Sequence, residues 1–208
     1  MEIAVLDYGA GNLRNVCRAI EHLGYQHCLV RTAGDLKTID KLIIPGVGAF
    51  KVAMKQLKER GLVEAIQEYA QQSKPLLGIC LGMQLLFDRS SELGETEGLG
   101  LIRGSVEVIP DTDVEGGAMK VPHIGWNELE FDLPAAEVIQ QIRELSPVYF
   151  VHSYRAVDVS YENLVAHCVY GGETIPAIVQ KGSVVGCQFH PEKSGYVGLR
   201  ILSGFLGD

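Results

Sequence analysis

Residues 78–84 read GICLGMQ, which sets a cysteine at the centre of Gly-x-Cys-x-Gly where an apolar run stops reading as strand and starts reading as helix. Glycines flanking a nucleophile permit the strained, tight turn that lifts its side chain over the carboxyl edge of a sheet. Cys80 would then stand at the N-terminus of a helix beginning near Leu81, where the dipole favours negative charge. The same turn aims the Leu81 N–H at a carbonyl under attack, which is half of an oxyanion hole. By itself the motif also suits a small buried cysteine, because it contains no base.

A base stands far downstream in VVGCQFHPEKSG, residues 184–195. In an extended strand, residues i and i+2 project to one side, so His190 and Glu192 share a face while Pro191 ends the pairing. The carboxylate can accept from one ring nitrogen and leave the other to deprotonate Cys80, the arrangement of acyl transfer. Taken alone, the pair also reads as a strand-end histidine beside a surface glutamate. A second oxyanion donor has a source in IIPGVGAF, residues 43–50, where Gly46 and Gly48 let backbone amides turn inward. Neither this stretch nor DYGAGNLR makes a phosphate loop: the first lacks a third glycine at the fingerprint spacing, and the second has Arg14 there. Cys187, His190, His167 and Cys168 are spaced so that strands point them to opposite faces, so no metal site is expected.

These residues need a sheet with helices on it. EIAVLD (2–7), HCLVR (27–31), KLIIP (41–45) and PLLGI (75–79) read as strands, separated by a helix from Asn12 to Gly24 and a helical region over 49–70 broken near Gly61. Near-continuous apolar strands between amphipathic helices indicate a parallel sheet covered on both faces. Past Phe87 the texture changes to turn-rich stretches (90–100 and 111–117) and then to strand-like runs: SVEVI, NELEF, VYFVHSY, LVAHCVY, IPAIVQ and VVGCQF. One helix is expected near 134–145 and a last one over 195–206. The fold class that follows is α/β, a mostly parallel central sheet flanked by helices with an antiparallel β flank, in a single domain over 1–208.

Composition narrows the function. The chain has 208 residues, 47% of them apolar, enough for one real core. Its 18 Lys plus Arg against 26 Asp plus Glu give a net charge of −8, which argues against non-specific binding to nucleic acid or anionic membrane. The five cysteines (17, 28, 80, 168, 187) form no C-x-x-C pair, so reduced thiols and a cytoplasmic location are expected. MEIAVLDYGAGN does not read as a signal peptide, and PLLGICLGMQLLF is too short and too interrupted to span a bilayer.

Taken together, DYGAGNLRNV, PGVGAF, GICLGMQLLF, KVPHIGWNEL, YFVHSYRA and GCQFHPEKSG resemble the class I (triad) glutamine amidotransferases. The resemblance is closest to the glutaminase subunits of imidazole glycerol phosphate synthase, in histidine biosynthesis, and covers nearly the whole chain. It implies a flavodoxin-like amidotransferase architecture and no cofactor. Cys80 would attack the carboxamide of glutamine, His190 would shuttle the proton and Glu192 would orient the ring. Gly46, Gly48 and Gln84 would hold the substrate, Glu92 would meet its α-amino group, and Ser153 and Tyr154 would supply main-chain contacts. In the family an amide at Val47 swings into the oxyanion hole when the partner carries its ligand. Ammonia passes to a separate (β/α)₈ cyclase subunit, a barrel of about 250 residues for which this chain has no room. The resemblance places Asn12, Asn15, Trp126, Tyr149 and Lys193 at the heterodimer interface. Trp126 reads equally as an interface anchor and as a core residue opening a strand. Two rivals remain at this level: another cysteine hydrolase on a similar sheet, which need not keep Gln84 or the His-x-Glu pair, and a non-catalytic binding module with a structural Cys80. The roles of His123, His152 and His167 stay open.

Overall fold

The computed structural model describes residues 1–9 and 12–207; Ala10 and Gly11 of the DYGAGN stretch and Asp208 lie outside the described residues. The first half alternates as the apolar spacing requires: β1 (Ile3–Leu6), α1 (Leu13–His22), β2 (His27–Val30), β3 (Lys41–Gly46), α2 (Phe50–Glu59), α3 (Leu62–Gln71), β4 (Leu76–Cys80) and the single turn α4 (Leu81–Gln84). The helical region breaks at Gly61, which takes a left-handed φ of 63°. The second half is strand-rich, with β5 (Arg89–Ser90), β6 (Thr96–Glu97), β7 (Ser105–Val108), β8 (His123–Glu128), β9 (Glu130–Phe131), β10 (Pro147–His152), β11 (Tyr154–Val157), β12 (Leu164–Tyr170), β13 (Glu173–Lys181) and β14 (Val184–Cys187), closed by α5 (Gly195–Leu206).

The main sheet has eight strands in the order β2-β1-β3-β4-β14-β13-β12-β9. From β2 to β14 every neighbouring pair is parallel, and from β14 to β9 every pair is antiparallel. The mostly parallel sheet with an antiparallel flank is therefore the architecture the sequence indicated. Side-chain alternation builds two cores. Ile3, Val5, Ile43, Leu77 and Ile79 pack in one cluster with Val16 and Ile20 of α1 and Ile201 and Leu202 of α5. Ala4, Leu6, Leu42, Ile44 and Leu76 pack in the other with Met54 and Leu57 of α2 and Leu62 and Ile66 of α3. Both faces are thus covered, which is why these strands read as unbroken apolar runs.

What matters for chemistry is which strands are neighbours. β3, β4 and β14 lie side by side and parallel, with Gly46 opposite Cys80 and Cys187 opposite Ile79. Three segments therefore leave the sheet at one carboxyl edge: Val47–Gly48, Leu81–Gln84 and Gln188–His190. In open α/β sheets this edge is where ligands bind.

Three expectations change. The helix expected over 134–145 is only a 3₁₀ turn at Glu137–Ile139. Val138 and Ile139 bury, but Leu145, which a helical stripe would also bury, is 54% exposed with φ 60°. The strand expected at NELEF starts earlier, at His123, and breaks at Leu129. The run VYFVHSY splits at Ser153: β10 pairs with β8 and β11 with β7, so the chain changes sheets there.

Candidate active site

Cys80 ends β4 with φ 54° and ψ −111°, a conformation a non-glycine residue rarely adopts and that costs of order 1–3 kcal/mol. The two glycines of the motif permit it by close approach. A Cβ on Gly82 would overlap the carbonyl oxygen of Ile44 in β3, and one on Gly78 would stand 2.5 Å from the carbonyl oxygen of Gly82. The turn is thus locked between two strands. It opens only the four-residue α4, so the helix dipole behind the thiol is weaker than a long helix would supply. The sulfur lies 4.0 Å from the Val151 carbonyl and 3.9 Å from Gln188 Nε2.

His190 and Glu192 pair as expected, but not by strand alternation. β14 stops at Cys187; His190 is extended and Pro191–Lys193 form a 3₁₀ turn. The turn folds the carboxylate back so that His190 Nδ1 donates to Glu192 Oε1 at 2.8 Å, with the two side chains 2% and 1% exposed. Ser194 locks the turn: its Oγ donates to the His190 carbonyl at 2.7 Å and accepts from the Tyr149 N–H at 2.9 Å. With Nδ1 committed, Nε2 is the free nitrogen; it has no hydrogen-bond partner among the described residues. Burial disfavours charge on the ring, but its interactions with Cys80 and Glu192 outweigh that and raise the His190 pKa to about 9. The sulfur is thus an electrostatic neighbour of the ring although the pair falls short of a hydrogen bond; apo catalytic contacts are often loose.

Val47, Gly48, Cys80, Leu81, Gln84, Glu92, Ser153, Tyr154, His190 and Lys193 line one cavity of about 400 Å³, together with Val151 and His152. Gly48 holds φ 106°, the conformational freedom the PGVG stretch needs. Glu92, in a loop, is tied down by accepting the Phe50 N–H at the start of α2 at 2.7 Å. Gly46 does not line the cavity. It lies beneath it, where a Cβ would stand 2.6 Å from the Tyr8 hydroxyl and 2.9 Å from the Leu81 Cβ, so its part is to let β3 approach the elbow. The Ser153 carbonyl is already taken by the Ile109 N–H at 2.8 Å. The Tyr154 carbonyl accepts from Gln84 Nε2 at 3.1 Å and from His152 Nδ1 at 2.8 Å. A larger cavity of about 650 Å³, around Arg89, Arg103 and Asp158, shares no lining residue with this one and has no nucleophile–base pair.

Sequence reasoning missed the buried polar chain behind the cavity. His152 Nδ1 faces a carbonyl, so it carries a hydrogen. Burial lowers the His152 pKa to about 3 and that of His123 to about 4, so both rings are neutral at pH 7. His152 Nε2 must then accept, and His123 Nδ1, 3.0 Å away, must donate to it. His123 Nε2 in turn accepts from Asn127 Nδ2 at 3.1 Å. One tautomer pattern satisfies every link. His167 lies elsewhere, on β12, with Nδ1 2.8 Å from Asp132 Oδ2. The spacing Gln-x-His in QFHPE was the one available hint that Gln188 accompanies His190; nothing in FVHSY marked His152.

The expected interface residues also have places. Trp126 and Tyr149 are register partners across β8 and β10 and meet edge to face with ring centroids 5.8 Å apart. Trp126 is 56% exposed, which removes its core alternative. Lys193 is exposed at the cavity rim, and Asn12 and Asn15 are half-buried at the start of α1.

An elbow cysteine, a carboxylate-oriented histidine and a shared cavity on a parallel sheet are the parts that cysteine-dependent acyl transfer requires. The model of the family "Glutamine amidotransferase class-I" matches residues 4–206. Imidazole glycerol phosphate synthase subunit HisH of Geobacillus sp. (strain WCH70) is 48% identical over 203 residues, covering 98% of this chain and 95% of that protein. The HisH subunit of Lactococcus lactis subsp. lactis (strain IL1403) is 46% identical, covering 99% and 98%. Among solved structures, PurLQS from Thermotoga maritima superposes with a TM-score of 0.77 at 20% identity over 99% of this chain, which speaks for the fold alone. The chain belongs to the class-I glutamine amidotransferase family and, within it, to the HisH subunits of imidazole glycerol phosphate synthase.

Proposed function

We propose that this chain, a single glutamine amidotransferase type 1 domain over residues 1–208, hydrolyses glutamine to glutamate and ammonia and supplies the ammonia for histidine biosynthesis. Cys80 Sγ attacks the side-chain carboxamide carbon, and His190 Nε2 manages the proton, held in orientation by Glu192. The negative oxygen of the tetrahedral adduct is met by the Leu81 N–H and by an amide of the Val47–Gly48 segment; one such donor is worth about 2.7–4 kcal/mol, roughly 10² to 10³ in rate. Collapse breaks the C–N bond, His190 gives its proton to the departing ammonia, and a glutamyl thioester remains. Water, losing a proton to His190, attacks the thioester; the C–S bond breaks and glutamate leaves. Gln84 and Gly48 hold the carboxamide end, while Glu92, a carboxylate, suits the substrate ammonium. Gly46 supports the elbow from below, and Ser153 and Tyr154 form the cavity wall.

The partner in this proposal is a separate (β/α)₈ cyclase subunit, in a cytoplasmic heterodimer that makes imidazole glycerol phosphate and aminoimidazole carboxamide ribotide. Asn12, Asn15, Trp126, Tyr149 and Lys193 form the docking face. No cofactor takes part.

The observation that carries this reading is that Cys80, His190, Gln84 and Glu92 line one cavity, with the Glu192 carboxylate behind the His190 ring. The test is glutamate release by the chain mixed with the cyclase subunit and its ligand. Release that rises at least tenfold on mixing and vanishes in Cys80→Ala is expected. Unchanged release in Cys80→Ala would end it, and equal release with and without the partner would end the gating by Val47.

A further inference from the structure

Gln188 is fully buried in the stretch after β14 and spends both ends of its amide on the site itself. Its Oε1 accepts from Gln84 Nε2 at 3.0 Å, and its Nε2 lies 3.9 Å from Cys80 Sγ. The direction of these bonds is fixed by one group that cannot turn round. The Tyr154 carbonyl only accepts, so Gln84 must present its NH₂ there. That NH₂ has a second hydrogen, which meets Gln188, so Gln188 must present oxygen to it. Gln188 then has only its NH₂ left for the sulfur. Flipping either amide would set two acceptors or two donors against each other inside a buried cluster. The carbonyl end of the chain is itself held by the neutral His152 ring at 2.8 Å. Gln84 Oε1 is the one atom of the pair with no partner among the described residues, and its side chain lines the cavity.

We infer that Gln188 is a further functional residue of this site: it donates an N–H to the Cys80 sulfur, and by clamping the Gln84 amide it leaves the Gln84 oxygen to meet the substrate carboxamide. The first task acts on the attacking atom and the second on substrate positioning. An N–H directed at sulfur favours the negative sulfur that attacks, and a locked amide enters the complex already oriented. The inference rests on the proposed glutaminase activity, but its first task is readable without it.

Gln188→Glu separates the two tasks, because it keeps an oxygen for Gln84 and replaces the N–H at the sulfur. Alkylation of Cys80 by iodoacetamide, followed by mass spectrometry to distinguish it from Cys17 and Cys28, should slow at least tenfold: the lost hydrogen bond accounts for about that factor, and the carboxylate set beside the sulfur adds repulsion. In the complex with the cyclase subunit, kcat should fall by at least that factor while KM stays within about threefold. Gln188→Met, which removes both ends without adding charge, should slow alkylation by about tenfold, the hydrogen bond alone, and raise KM as well. A folded Gln188→Glu chain with alkylation and kcat within twofold of the unaltered protein would overturn the inference, as would equal loss through KM and kcat. Should neither variant fold, the Gln188 side-chain amide protons of the unaltered protein, observed by ¹⁵N NMR, must shift when Cys80→Ala is introduced; unmoved signals overturn it. If the unaltered complex releases no glutamate, the glutaminase reading fails while the alkylation rates still judge Gln188.

Discussion

Replacing Glu192 by glutamine tests the charge arrangement behind the nucleophile. The pair is sealed, at 2% and 1% side-chain exposure and 2.8 Å, so solvent does little to screen it. A histidine raised from 6.5 to about 9 in the folded protein gains about 3 kcal/mol from its surroundings, at roughly 1.4 kcal/mol per tenfold change in proton affinity. That gain is divided between Cys80 and Glu192. Because the folded pKa lies above the unfolded one, the stabilisation is complete below about pH 6.5 and is lost as pH rises through about 9. Urea unfolding of the unaltered chain and of Glu192→Gln at pH 6, 7.5 and 9.5 should therefore show the variant less stable by about 1–2 kcal/mol at pH 6, the difference shrinking toward pH 9.5. The alkaline limb of glutamate release, which in the proposed mechanism reports loss of the imidazolium that protonates ammonia, should move to lower pH in the variant. A stability difference that stays constant from pH 6 to 9.5 would refute the coupling.

Cys80→Gly should abolish glutamate release yet stabilise the isolated chain by about 1 kcal/mol in thermal unfolding, because glycine relieves the left-handed φ of 54°. His123 and His152, lowered to about 4 and about 3 by burial, stay neutral while the unfolded chain charges near 6.5. Their contribution is thus complete above pH 6.5 and lost as pH falls toward 4, with a slope up to about 1.4 kcal/mol per pH unit per ring; His152→Phe should flatten it in acid denaturation. Trp126→Ala removes a side chain that is 56% exposed, so the melting temperature of the isolated chain should hardly move, while affinity for the proposed cyclase partner, followed by calorimetry, should fall by about 2 kcal/mol or more.

Much of the first half was legible because covered parallel strands leave a simple trace. Runs such as KLIIP and PLLGI are apolar on both faces, and helices such as Leu13–His22 repeat at 3.6. The second half was harder for physical reasons that can be named. In segment 134–145 Val138 and Ile139 bury and Ala136 and Ile142 pack partly against the same core, but Leu145 is left exposed and only a 3₁₀ turn forms over Glu137–Ile139. The run at VYFVHSY changes sheets at Ser153, a choice made by its partners β8 and β7 and not by its own residues. His190 and Glu192 do meet, though through a turn that Pro191 opens, where strand alternation had been expected.

By itself the sequence determined the chemistry available: a thiol between two glycines that alone permit its turn, an imidazole two residues from a carboxylate, and a glycine-flanked valine after a strand. Those are local facts, since chirality, side-chain volume and ring nitrogens travel with the residue. Only the tertiary structure decided that they meet. The antiparallel β13 returns β14 to the side of β4, parallel to it and level with it, and that adjacency sets residue 190 beside residue 80. It also decided what burial does: His152 and His123 are kept neutral in one tautomer pattern, and Gln188 is turned toward the sulfur, because leaving a buried donor unpaired is costly.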